Sequence, residues 1–247
     1  MSGNFRMSDA APSDETTALI AKARAAGRVV LPEPDAKAIL RASGISIPPG
    51  RLVRATSEAA PAACEIGLPV AVKAVAANLT HKTDVGGVVL PVHTPQGAEE
   101  ACRTIAARIA ERRPDVVLDG FLIEAYRPAD PEWILSLRMD PTFGPAVMFG
   151  LGGVYVDVLR QVTFRLAPLA DTDLEALITE KPAMRMLAGV RGKPPADRAA
   201  LKDAISRLSR LADHPVIKRE VLEIEINPLA VLPEGVFALD ALVIMHP

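Results

Sequence analysis

Apolar and polar positions along the chain switch repeatedly between helical spacing and alternation, the two repeats that mark helix and strand. Ala18, Leu19, Ala21 and Ala25 predict a first helix that stops at Gly27, and Pro34 leads a second over 35–43 that stops at Gly44. Thr56 or Ser57 can cap a third that runs past Cys64 to Gly67. From 96 to 113, the residues Ala98, Ala101, Cys102, Ile105 and Ile109 share one face, as in an amphipathic helix. Further helices are expected over 171–180 and 197–213, and strands over 69–75, 88–92, 121–126, 133–137, 145–149, 221–226 and 236–239. The alternation of the two patterns favours an α/β or α+β fold. A break at Asp119-Gly120 divides the chain into an N-terminal extension and helix (1–27), a first lobe (28–120) and a second lobe (121–247).

Composition narrows the picture without deciding it. With 247 residues, 49% hydrophobic and 23% charged, the chain can bury an extensive core of its own. A net charge of -2 leaves no basic footprint for nucleic acid and no polybasic surface for anionic lipid. Small acidic metabolites with a metal remain compatible. Two cysteines, Cys64 and Cys102, each fall in a helical segment, which reads as core packing in a reducing compartment rather than a disulfide framework. Residues 1–13 hold no apolar run of signal-peptide length, and the uncharged stretch 141–156 is broken by Pro and Gly and shorter than the ~20 residues of a membrane span. A cytoplasmic location is expected.

The first chemistry appears where the apolar strand 69–75 carries Lys73 and runs into a polar loop with Gly86 and Gly87. A lysine among valines is costly to bury unless an anion meets it. Glycines in the following loop can take positive φ and let backbone N–H groups approach phosphate oxygens. A strand-end lysine followed by an ordinary glycine hairpin is the other reading.

Two more constellations lie downstream. In Leu222-Glu-Ile-Glu-Ile-Asn-Pro-Leu229, alternation puts Glu223, Glu225 and Asn227 on one strand face and Ile224 and Ile226 on the other, with Asp240 expected across a hairpin. Such a face offers the hard oxygen ligands that Mg²⁺ takes alongside nucleotide phosphates, although a merely solvated face has the same pattern. Gly150, Gly152 and Gly153 imply close backbone approach to a ligand or to another chain segment. They lack the spacing of a dinucleotide fold, and no Gly-Lys-Ser or Gly-Lys-Thr loop occurs.

Taken in order, these segments resemble the ATP-grasp family, and within it the nucleotide-binding β subunit of ADP-forming (NDP-forming) acyl-CoA synthetases, relatives of succinyl-CoA synthetase. The resemblance runs from about residue 24 to 244 and includes the 26–37 segment, the Lys73 strand, His81-Lys-Thr-Asp-Val-Gly-Gly87, Arg138-Met-Asp-Pro-Thr-Phe-Gly144, Leu187-Ala-Gly-Val-Arg-Gly192 and Glu225-Ile-Asn-Pro-Leu229. It implies two lobes clamping ATP (or GTP) with Mg²⁺. By resemblance, Lys73 contacts phosphates and the Gly86-Gly87 loop covers them. Leu122 and Ile123 present backbone groups to the base, and Glu124 holds the ribose hydroxyls. Asn227 and Asp240 match the metal pair, Glu225 lies near the transferred phosphoryl group, and Arg138 neutralises charge. His81 matches a histidine implicated in a phosphoryl relay, since an imidazole nitrogen can accept and release a phosphoryl group; a solvated loop histidine is the alternative.

The resemblance further implies an acid–CoA ligase that works with a CoA-binding α subunit, no CoA-binding Rossmann segment being evident here. Asp157 shortens the reach of the family's usual glutamate, and Gln161 replaces a usual acid and cannot act as an anion. A nucleotide-binding module without turnover, or a ligase working directly through an acyl phosphate, are the other functions these residues leave open.

Overall fold

The computed structural model describes residues 13–77, 79, 82–153, 159–190 and 192–247. Its strands form two antiparallel sheets. The first has the order β1-β4-β2-β3, built from β1 (Gly50–Val53), β2 (Val70–Val75), β3 (Val88–Val92) and β4 (Gly120–Ala125). The second runs β10-β8-β5-β6-β7, with β9 also on β8; these are β5 (Trp133–Asp140), β6 (Gly144–Leu151), β7 (Val162–Leu166), β8 (Val221–Val231), β9 (Val236–Ala238) and β10 (Ala241–Met245). Every pairing described is antiparallel, so the α+β form of the expectation holds.

Two helices cover the first sheet, α3 (Ala59–Ile66) and α4 (Pro95–Arg112). Thr94 starts α4: its hydroxyl accepts from the Gly97 N–H at 3.0 Å, and Pro95 fills a position whose N–H would have no partner. The face that the periodicity predicts is the buried one, from Ala98 through Cys102 to Ile109. Pro61 fits the first turn of α3 because its missing N–H is an orphan there anyway. Cys64 is exposed on this helix rather than packed in the core, whereas Cys102 is buried and its thiol is pushed up to about 12 by burial and by Glu99.

The second core is larger. Against its sheet pack α1 (Ser13–Ala25), α2 (Glu33–Ala42), α5 (Asp171–Leu177), α6 (Arg198–Arg210) and α7 (Pro215–Glu220). Trp133 and Phe149 stack within it at 5.3 Å between ring centroids. Leu201, Ala204, Ile205 and Leu208 recur at helical spacing to make the buried stripe of α6. Each such Leu or Ile adds about 1.5–3 kcal/mol of burial.

The lobes do not divide where the chain break suggested. Strand β4 lies between β1 and β2, so residues 121–125 belong to the first sheet. Conversely, 28–45 belongs to the second core: the Leu31 N–H donates to the Val243 carbonyl at 3.0 Å, Met245 donates to Val29 at 2.7 Å, and Leu31, Ile39 and Leu40 are buried there. Helix α2 packs on its neighbour α1 and also on β10, which lies more than 190 residues further along the chain, a partner that adjacency does not reveal. Strands β1, β7 and β10 and helix α7 were likewise not predicted; β1 is a short edge with no alternation.

Candidate functional site

A cleft of about 600 Å³ opens between the two sheets. One wall is the end of β2 with Leu79 and Lys82–Asp84; the other is Glu225 and Asn227 from β8 and Asp240 just before β10, and Glu132 closes a side. The alternation read along β8 is realised: Ile224 and Ile226 are buried in the second core, and Glu223, Glu225 and Asn227 take the opposite, partly open face. Pairing of Ala241 with Ile226 brings Asp240 beside Asn227, whose N–H meets the Asp240 carbonyl at 3.3 Å. The Asn227 side-chain oxygen accepts from the Gly153 N–H at 3.1 Å.

Behind this wall lies a buried charge cluster of three lysines and three carboxylates. Glu33, in the first turn of α2, accepts from Lys37 at 2.8 Å, from Lys73 at 3.1 Å and from Lys82. Glu124 on β4 meets Lys37 and Lys73, each at 2.5 Å. Lys73 also donates to the Leu239 carbonyl, next to Asp240. Lys82 completes the circuit at 3.0 Å from Asp240 Oδ1, which accepts the Ala241 N–H as well.

Burial acts against the charged forms of Glu33, Lys73, Lys82 and Asp240, and their neighbours decide the outcome. For Glu33 burial is outweighed by Lys37, Lys73 and Lys82, which hold its carboxyl well below the usual range. Lys73 and Lys82 are raised despite burial, chiefly by Glu33, with Glu124 and Asp240 helping Lys73 and Asp240 helping Lys82. Asp240 goes the other way: burial and then Glu33 raise it, against the lysines. Glu132 is raised by burial.

The structure brings Glu225, Asn227 and Asp240 to one cleft with Lys73 close behind it, and it differs from expectation in several places. Lys73 sits behind the wall, 5% exposed, while Lys82 is the ammonium that lines the opening. Leu122 and Ile123 cannot offer backbone groups to a base, because β4 is flanked on both sides and its ladders use them. Glu124 is committed to two lysines and 3% exposed, so ribose contact does not suit it; Glu132, at the far end of the 126–132 connection, faces the cleft instead. Gly86 has φ +73°, yet its N–H donates to Thr83 and that of Gly87 to Lys82 at 2.7 Å, so both amides close the turn rather than face a phosphate. Arg138 is exposed on β5 opposite Glu223, outside the cleft. His81 and Asp157 lie outside the described residues.

Glu33, Lys37, Lys82 and Glu132 went unassigned in the sequence. Glu33 and Lys37 carried one signal, helical i,i+4 spacing of opposite charges, which is ordinarily a surface pair.

Asp240, Glu225 and the Asn227 amide are hard oxygen donors suited to Mg²⁺, though among the described residues no three His, Cys, Asp or Glu side chains are arranged to hold a metal ion by themselves. That fits an ion whose other positions are filled by phosphate oxygens and water. Cations on one wall, oxygen donors on the other and two sheets around them define a two-lobed clamp for an anionic ligand and its metal. The chain belongs to the ATP-grasp family, whose ATP-grasp domain matches residues 22–245.

Among known relatives, the β subunit of ADP-forming acetate–CoA ligase I of Pyrococcus furiosus is 40% identical over 228 residues, 92% of this chain and 96% of that one. A solved Ca. Korarchaeum cryptofilum dinucleotide-forming acetyl-coenzyme A synthetase 1, in complex with coenzyme A, Ca-AMPCP and HgCl⁺, superposes with a TM-score of 0.89 at 38% identity, covering 94% of this chain and 100% of that chain. The same enzyme with coenzyme A and Mg-AMPPCP, its phosphohistidine segment pointing towards the nucleotide site, gives a TM-score of 0.80 at 36% identity, covering 94% and 100%. Among the described residues no helix is long and apolar enough to cross a membrane.

Proposed function

We propose that this chain is the nucleotide-binding β subunit of an ADP-forming acid–CoA ligase, acting with an α subunit that binds CoA. The observation that carries the reading is the cleft with Lys82, backed by Lys73, facing Asp240, Asn227 and Glu225. Near-full-length similarity to a chain named as a β subunit supports the partner.

ATP would lie between the sheets, its phosphates toward Lys82 and its sugar toward Glu132. Mg²⁺, when bound, would be held by Asp240 and Asn227 and would neutralise phosphate charge. Phosphoryl transfer of this kind is mostly positioning and electrostatics. A His81 ring nitrogen attacks the γ-phosphorus, the bond to the β-γ bridging oxygen breaks, and ADP departs. The phosphoryl group next passes to a carboxylate as an acyl phosphate; the CoA thiol attacks its carbonyl carbon and releases phosphate. Glu225 would steady the imidazole as it gains charge. We assign Lys73 to holding Glu33 and Glu124 in place and to the positive field behind the phosphates.

Incubation with γ-labelled ATP and Mg²⁺ tests this. Acid-labile, base-stable label is expected on the wild type and not on His81→Ala, and addition of a CoA-binding α subunit, CoA and acid should discharge the label as phosphate and sustain ADP formation over many turnovers. Calorimetry that finds no uptake of ATP or GTP with Mg²⁺ would overturn the reading, and labelling of the His81→Ala protein would remove the relay.

A further inference from the structure

We propose that Lys82 is an exchangeable internal counter-ion: it occupies the metal-binding carboxylate of Asp240 while the cleft is empty of nucleotide and transfers to the polyphosphate on binding, so that the divalent ion enters only together with nucleotide. The inference rests on the nucleotide–metal reading of the cleft and adds an order of binding to it.

Charge balance is the first reason. The cluster holds three ammonium groups against three carboxylates and is formally neutral. A divalent cation arriving alone would find the Asp240 carboxylate already neutralised by the Lys82 ammonium, 3.0 Å from Oδ1, and would be repelled by that ammonium, with Glu225 and Glu132 among the other carboxylates of the cleft to meet the ion. A metal–polyphosphate complex brings its own negative charge and gives Lys82 a new anion as it surrenders Asp240.

Location is the second. Lys73 and Lys37 are walled in by Glu33 and Glu124, whereas Lys82 both reaches Asp240 and lines the cleft. Lys82 also keeps Glu33 as a partner, so releasing Asp240 does not strand its ammonium. The two groups sit on opposite walls: Lys82 on the loop after β2, Asp240 just before β10. Breaking this pair therefore removes one ionic contact between lobes at the moment nucleotide enters.

The test is Mn²⁺ binding, followed by the paramagnetic signal of the free ion, without nucleotide. Wild type should bind Mn²⁺ weakly alone and tightly with a non-hydrolysable ATP analogue. Lys82→Met should bind Mn²⁺ alone about tenfold or more tightly than wild type, a neighbouring cation within ~4–6 Å being worth one to three decades to a carboxylate. Lys82→Arg, which keeps the charge, should stay near wild type. Equal Mn²⁺ affinity in wild type and Lys82→Met overturns the inference, while nucleotide binding measured separately reports on the proposed function. Should Lys82→Met fail to fold, a crystal structure of the wild type with analogue and Mn²⁺ decides: Lys82 Nζ on a phosphate oxygen is expected, and an intact ion pair to Asp240 overturns it.

Discussion

Glu33 accepts from three ammonium groups at once, and the charge balance of the cleft turns on it. Its folded pKa is depressed, so its stabilisation is full above the unfolded value of about 4.3 and is lost as pH falls through the lower folded value. Glu33→Gln should therefore be less stable at neutral pH by about 3–5 kcal/mol, the cost of removing one partner from a buried ionic group. Its acid limb should also be flatter than that of wild type, as urea titrations at a series of pH values would show. Lys73→Met should cost a comparable amount by leaving Glu33 and Glu124 short of a cation, and calorimetry should find its nucleotide affinity reduced as well. Lys73 was legible because a cation inside a valine-rich strand demands an anion. Glu33 was not, because an acid in a helix's first turn already has an ordinary explanation in the helix dipole.

At the scale of elements, the glycine cluster was legible as close approach but not as to what. A Cβ at Gly150 would lie 2.3 Å from the Gln161 carbonyl on the way into β7, and one at Gly152 would lie 2.7 Å from the Trp133 backbone. One at Gly153, where φ is +57°, would meet the Glu132 carboxylate. The glycines thus pack chain against chain and hold Glu132 and Asn227 at the cleft. Gly152→Ala should cost about 1–3 kcal/mol by forcing β5 away, read as a lowered thermal midpoint. Thr94→Ala should lose about 1 kcal/mol of stability while Thr94→Ser keeps most of it, a difference that denaturant titration resolves, because only the hydroxyl caps α4.

For the whole molecule, ionic pairs from α2 and from Lys82 tie one lobe to the other, so ligand binding and stability should be linked. Mg²⁺·ATP at a hundredfold excess over Kd should stabilise the protein by about 2.7 kcal/mol, measurable as a raised thermal midpoint, and Lys73→Met should show a smaller shift. Helices α1, α2, α4 and α6 and the strands bearing Lys73, Glu124 and Glu225 were set by local pattern, since the period of apolar residues and their caps act within a few turns of chain. The chemical types at the cleft, a buried lysine and an acidic strand face, were written in the same way. Which lobe each segment joined, that β4 sits paired on both edges, that Glu124 turns toward lysines and Glu132 toward the cleft, and that Lys82 rather than Lys73 fronts it, came only with the tertiary structure. Those outcomes depend on partners far away in the chain, such as Leu31 on Val243 and Lys82 on Asp240, and a local pattern carries the demand for a partner without its address.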